Sequence, residues 1–327
     1  MAEENKERRK RTVKNGYYKD TEWKNVNLMN KQIAEEFIDA KRDLSDESLK
    51  QYKNALKIFF IWVSKNAGDK FITDLKRRDI LRFQNWMGDK GLGINAIRFK
   101  RSAVSSLCNY IETYYDDDYP NFRNIVKGVE VPKGGVKHKK EPLTVEELDT
   151  IRKELVEKER WQELAYLELS YSSGGRREEI RQIKKEVVNY EPTEKGFYVT
   201  HEIRAKGAGK AGEVRHLAFS KHAHEAIKKW MEVRGEDNEE SLFITNYRGG
   251  IKQISKTTFN YWCTHIFSPI IERRVHPHQL RSTRATHIVT VEGKDINSAK
   301  NLLGHKQSST TEIYVVRDEE ESLGEAF

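Results

Sequence analysis

Near the end of the chain a tyrosine, Tyr314, follows three side chains that donate hydrogen bonds or carry positive charge: His278, Arg281 and His305. Those residue types suit the attack of a phenol on a phosphodiester. The attack piles negative charge onto a phosphorus with five oxygens, and fixed donors must offset it. Arginine fits the task because its planar fork grips two phosphate oxygens and keeps its proton. A phenol titrates near pH ~10, so it needs surrounding cations before it attacks at neutral pH. Taken singly, a tyrosine in an amphipathic segment packs in a core and a histidine after Leu302-Leu303-Gly304 caps a helix end.

Upstream lie further candidates. Arg176 follows Gly174-Gly175 at the expected start of a helix, where a guanidinium can be aimed at a bound anion. Glu179, one helical turn on, can fix its geometry. The neighbouring Arg177 is the rival, and Arg176 is preferred because it directly follows Gly175. Phe197, Val199, His201 and Ile203 alternate, AKGAGKAG makes a turn and Val214 to Phe219 is extended again, which predicts a β-hairpin with Lys206 and Lys210 at its tip. A lysine there is either a solvated turn residue or a general acid for a departing 5′ oxygen, if neighbouring cations and desolvation depress its pKa. KGAGKAG is no phosphate loop, since neither Ser nor Thr follows the lysine. His278 and Arg281 share a helix face opened by Pro277. His276, His278 and His305 also suggest zinc, but Arg281 would set a fixed cation beside the ion, so no metal is expected.

The elements that must hold these residues are legible in outline. The chain of 327 residues has room for two domains. Residues 1–28 are basic and polar without a period, a predicted extension; Lys6, Arg8, Arg9, Lys10, Arg11 and Lys14 crowd its start. From about 30 to 115, apolar spacing predicts four helices, one of them marked by Leu49, Tyr52, Leu56, Phe59 and Val63. Asp116-Asp117-Asp118 is read as a solvated turn rather than a metal site. Residues 127–142 carry Gly, Pro and lysines with no apolar period, a basic linker; Lys137, Lys139 and Lys140 within it are candidate phosphate contacts. The second domain opens with a capping box, Thr144 and Glu147, and continues through helices at 161–171, 221–234 and 255–272, with SLFIT as a short strand.

Composition narrows the partner. Lysine plus arginine number 59 against 51 acids, and the excess of +8 is concentrated in the first fifteen residues and the linker, which favours a polyanion. No apolar run approaches the ~20 residues of a membrane span, and no apolar stretch follows the basic start as a secretion signal would need. Two distant cysteines, Cys108 and Cys263, build no disulfide framework, so a reducing cytosol fits.

The order RREE, a lysine hairpin, HQLR, LLGH and TEIY closely resembles the tyrosine recombinase family, the phage-integrase and Xer-like enzymes, over roughly residues 45–316. The resemblance is densest in HPHQLRSTRATHI and GKDINSAKNLLGHKQSSTTEIY. It implies a mainly α fold with a small β-sheet, in which an all-α SAM-like core-binding domain and an α+β catalytic domain form a C-shaped clamp on DNA. The expected boundaries are 1–28 extension, 29–126 core-binding domain, 127–142 linker and 143–327 catalytic domain. Carried over by position, Arg176 and Arg281 would be catalytic arginines, Lys206 the general acid, His278 and His305 donors beside the phosphate, and Tyr314 the nucleophile. Glu179 would brace Arg176; Lys210 and Arg284 would add DNA contacts. Ser282 stands where the family often has His or Arg. Arg284 replaces a usual aromatic, so it serves either local packing or a phosphate.

The implied activity is site-specific DNA recombination through a 3′-phosphotyrosine, for a mobile element, with no cofactor. The implied partners are double-stranded DNA carrying recombination sites, further copies of the chain in a synaptic tetramer, and accessory DNA-bending proteins, with a cytoplasmic, nucleoid-associated location. The acidic end (Asp318, Glu319, Glu320, Glu321, Glu325) could dock on a neighbouring copy. The rivals are a type IB topoisomerase and a non-catalytic DNA-binding protein.

Overall fold

The computed structural model describes residues 20–132, 134, 141–205, 213–247, 249–305, 311, 312 and 315. The chain divides into two compact units, Met1–Lys137 and His138–Phe327. Both are mainly helical; the three two-stranded sheets found among the described residues all belong to the second.

The first unit is built on α1 (Leu28–Ala40), α2 (Asp46–Asn66), α3 (Arg77–Asp89) and α4 (Ile94–Tyr114). Ser45 caps α2 by accepting the Ser48 amide, and Leu56, Phe59, Phe60 and Val63 then fall on buried faces. Phe59 touches Phe60 and Phe83 with ring centroids 5.1 Å apart, so these aromatic rings are core. The Asp116–Asp118 run is an exposed turn.

Two edges of this unit differ from expectation. Residues 20–28 are not an unstructured extension: Asp20–Asn25 is a 3₁₀ turn, Trp23 packs on the core and Val26 is 3% exposed. The physical cause is these two apolar side chains, together with Asn27, whose amide donates to Asp69 and whose side chain caps α1. At the other edge, Arg101 is buried inside α4 and donates to the carbonyls of Val129 and Glu130, while Arg98 holds that of Pro132. The lysine-rich stretch read as linker is thus tied to the helices as far as Pro132. Lys137, Lys139 and Lys140 lie outside the described residues, as do residues 1–19 and the acidic residues after Val315.

The second unit begins with α5 (Val145–Glu157), α6 (Trp161–Ser173) and the short α7 (Arg177–Arg181). Strands β1 (Tyr198–Val199), β2 (Ile203–Ala205), β3 (Glu213–Arg215) and β4 (Ala218–Phe219) follow, then α8 (Lys221–Arg234). After the hairpin of β5 (Ile244–Tyr247) and β6 (Gly250–Gln253) come α9 (Lys256–Trp262), a π-helical turn Cys263–Phe267, and α10 (Ser268–Ile270). The unit closes with α11 (Pro277–Thr290) and α12 (Ile296–Leu303). Tyr166 of α6 stacks on Phe259 at 4.3 Å, fixing α9 to the central helix. SLFIT therefore pairs with a second strand, β6, that was not anticipated.

The lysine hairpin is real but broken. β1 pairs with β4 and β2 with β3, while residues 200–202 face only 216–217, a bulge that shifts the register by one. The buried positions are accordingly Tyr198, Thr200 and Ile203, not the simple alternation Phe197, Val199, His201, Ile203. Thr200 causes the shift: its amide donates to the Leu217 carbonyl and its hydroxyl accepts the Leu217 amide. Lys206 and Lys210 lie outside the described residues.

Candidate active site

Helix α11 is buried almost all round, and contacts to the start of the unit fix its rotation. Thr283 accepts the Leu143 amide, His287 contacts the Leu143 carbonyl and the Tyr171 hydroxyl, and Gln279 donates to the Glu141 carbonyl. Arg281 on this helix is 1% exposed. Its guanidinium donates to the carbonyls of Gly174 and Leu303 and to Nε2 of His305, the last at 2.8 Å. One planar fork thus joins the end of α6, the end of α12 and His305 beyond it.

Both of those ends are made by glycines in the left-handed region. Gly174 has φ +58°, and a Cβ on it would lie 2.5 Å from Leu303. Gly304 has φ +63°; its amide bonds back to Asn301 and that of His305 to Lys300, so the helix stops and turns His305 inward. His305 is 7% exposed and contacts Arg281 through Nε2 and the Thr311 hydroxyl through Nδ1. Since a guanidinium only donates, Nε2 is the acceptor, so Nδ1 carries the proton and donates to Thr311.

Without DNA its outer nitrogen therefore accepts. Burial, and then the charges of Arg281, Arg176, Arg215 and His278, push its pKa down from 6.5 to about 4. The unfolded chain therefore takes up this proton at a higher pH than the folded one. The stability gained by keeping His305 neutral is fully present above pH ~6.5 and is lost as pH falls toward 4. Denaturant unfolding between pH 4 and 7 should show that slope, and His305→Gln should flatten part of it; an unchanged slope would contradict the buried neutral ring. His276 and His287, also lowered by burial, contribute in the same direction and supply the residual slope.

Arg176 is the residue before α7. Its amide and Nη1 donate to Oε2 and Oε1 of Glu179, at 2.7 and 2.9 Å. Glu179 is 1% exposed, and Arg215 of β3 donates to it as well, at 2.7 Å. Burial alone would raise this carboxyl, but Arg215, the Arg176 amide and the Arg176 charge outweigh it and hold it below the usual carboxylate range. The rival, Arg177, donates to Asn260 instead. His278 is exposed on the first turn of α11, near enough for its charge to bear on His305.

Arg176, Glu179, His278, Arg281 and His305 therefore converge, from three segments of the chain. Tyr314 lies outside the described residues. Arg284 is turned elsewhere: it pairs with Glu292 and lies 5.6 Å over the Tyr171 ring, so of the two readings its side chain takes the packing one. An arginine fills the usual aromatic position because Tyr171 offers it a π face. Two members were not foreseen, Arg215 and Thr311. Arg215 sits on a strand whose middle residue, Val214, is exposed, and that inversion is the only local sign that its neighbours point inward. Among the described residues no cluster of His, Cys, Asp and Glu could hold a metal ion, and no helix is long and apolar enough to cross a membrane.

Residues 141–321 match the family described as the phage integrase family. The chain is 30% identical over 98% of its length to the SPbeta prophage-derived recombinase-like protein YomM of Bacillus subtilis (strain 168), covering 97% of that protein. It is 26% identical to the tyrosine recombinase XerC of Oceanobacillus iheyensis, over 85% of this chain and 88% of that one. Its fold is similar to that of the XerH site-specific recombinase bound to palindromic difH substrate in a post-cleavage complex, with a TM-score of 0.66 and 21% identity, covering 90% of this chain and 83% of that one.

Proposed function

The chain belongs to the phage integrase family, the tyrosine recombinases, and from that premise we propose that it is the site-specific recombinase of a mobile element, cutting and rejoining duplex DNA through a 3′-phosphotyrosine. The observation that carries this reading is the junction of Arg281, His305, Glu179 and Arg176 at the ends of α6 and α12. A protein that only binds DNA has no use for a buried cationic nest joined to Thr311, three residues before Tyr314.

In the proposed reaction Tyr314 gives its phenolic proton to solvent and its oxygen bonds to phosphorus as the bond to the 5′ oxygen breaks, and Lys206 protonates that oxygen as it leaves. Arg176 and Arg281 offset the charge on the non-bridging oxygens, and Glu179 braces Arg176. His278 donates from the exposed edge. A diester in the nest adds a negative charge, which draws Arg281 and favours protonation of His305, converting Nε2 from acceptor to donor. A 5′-hydroxyl of a partner strand then reverses the step, the bond energy having been kept in the covalent link. Duplex DNA and further copies of the chain in a synaptic tetramer are the proposed partners, with Lys137, Lys139, Lys140 and Lys210 as contacts that position the backbone without reading bases. The prophage origin of the 30% identical relative supports the mobile-element role.

A plasmid carrying two candidate sites tests the reading. Recombinant products support it; supercoil relaxation without recombinants would point to a type IB topoisomerase activity instead. Because phosphate contacts release counterions, affinity for site DNA should fall on the order of 10³-fold between 50 and 200 mM salt. A flat response in a binding titration would count against a phosphate-dominated interface.

A further inference from the structure

We propose that Arg215 is a positioning residue for DNA cleavage, tying the arginine before α7 to the histidine after α12. The inference rests on the recombinase reading above and adds to it a residue that none of the catalytic roles assigned there uses.

The geometry has two halves. On one side Nη2 of Arg215 donates to Oε2 of Glu179 at 2.7 Å, while Oε1 of the same carboxylate accepts from Arg176. Glu179 is thereby held between two guanidiniums, and its orientation, hence that of Arg176, depends on both. On the other side Nη1 of Arg215 reaches the Leu302 carbonyl at 3.4 Å. It also packs against Gly304, where an added Cβ would collide with it. Glycine at 304 is favoured by its positive φ, and a side chain there would also push the Arg215 guanidinium aside. The residue that follows is His305.

A lysine could not make this connection. Its single ammonium reaches one acceptor, whereas the guanidinium spans two that face different ways. The bridge also lets sites far apart in sequence keep register, with Glu179 on one side and Leu302 on the other. Arg215 sits on β3, next to the segment bearing Lys206, so the hairpin and both ends of the site share one fixed point. Its charge is among those that keep His305 neutral, with Arg281, Arg176 and His278.

A bridge that served stability alone would leave the chemistry untouched once the protein was folded. The full chain is tested on a nicked suicide duplex built at the cleavage position mapped with the unaltered protein. At saturating DNA, Arg215→Gln should slow covalent adduct formation on the order of 10- to 10²-fold, the effect of misplacing a reacting group by about 1 Å, with Kd for the same duplex little changed. Arg215→Lys keeps a cation beside Glu179 and so folds, and it should recover only part of the rate. Carbon-13 histidine spectra of the DNA-free variant should place the His305 titration above its value of about 4 in the unaltered protein. Arg215→Lys cleaving at the full rate, or Arg215→Gln differing only in thermal stability, would overturn the inference. If the unaltered protein forms no adduct at all, the recombinase reading itself fails, and this inference with it.

Discussion

Tyr314→Phe is expected to abolish covalent protein–DNA adducts while leaving DNA binding intact. The substitution removes one oxygen and no charge, so the phosphate contacts that dominate affinity are unchanged. What disappears is the only atom proposed to bond to phosphorus. The loss should be complete rather than graded, because attack by water in its place leaves no link to the protein. Denaturing gel analysis of a suicide substrate reads the adduct, and a filter or gel-shift titration reads the binding. A variant that still forms the adduct would move the nucleophile elsewhere.

The second large effect is expected at Arg281. This side chain has two duties: it fills the carbonyls of Gly174 and Leu303, and it presents charge beside His305. Arg281→Gln removes a fixed cation from the nest, so cleavage should fall roughly 10² to 10³-fold, as when one preorganised donor is lost from an anion site. It also leaves buried carbonyls without a donor, at about 1–3 kcal/mol each. Thermal unfolding should therefore show a lower Tm alongside the slower chemistry. Arg281→Lys separates the two effects: the charge stays, but one ammonium cannot serve Gly174, Leu303 and His305 together. Near-wild-type cleavage by that lysine variant would mean that charge alone, and not the planar fork, is what the site requires.

The helices of both units were legible because their apolar residues recur at helical spacing: Leu56, Phe59 and Val63 could only face inward together. Arg176 and Glu179 were legible for the same reason, being one turn apart. Gly304 announced the end of α12 and hence the inward turn of His305. What stayed hidden depends on distance along the chain or on a single residue breaking a pattern. Arg215 meets Glu179 across 36 positions, and no local spacing encodes that. Thr200 shifts the hairpin register through its own side chain, so the alternation read from the residues alone came out on the wrong face. Trp23 and Val26 are too few to make a period, yet they are enough to fold residues 20–28 onto the helices. The DNA-free tautomer of His305 was hidden for a different reason: whether a histidine donates or accepts is set by its neighbours in space, here Arg281 and Thr311.

The central claim is that one tyrosine takes over a DNA strand through its 3′ phosphate. The direct measurement is peptide mapping by mass spectrometry of the adduct trapped on a nicked suicide duplex labelled on each strand end in turn. The account predicts a nucleotide attached by a 3′ phosphate to the peptide carrying Tyr314 and to no other peptide. Attachment through a 5′ phosphate, or to any residue besides Tyr314, would contradict it.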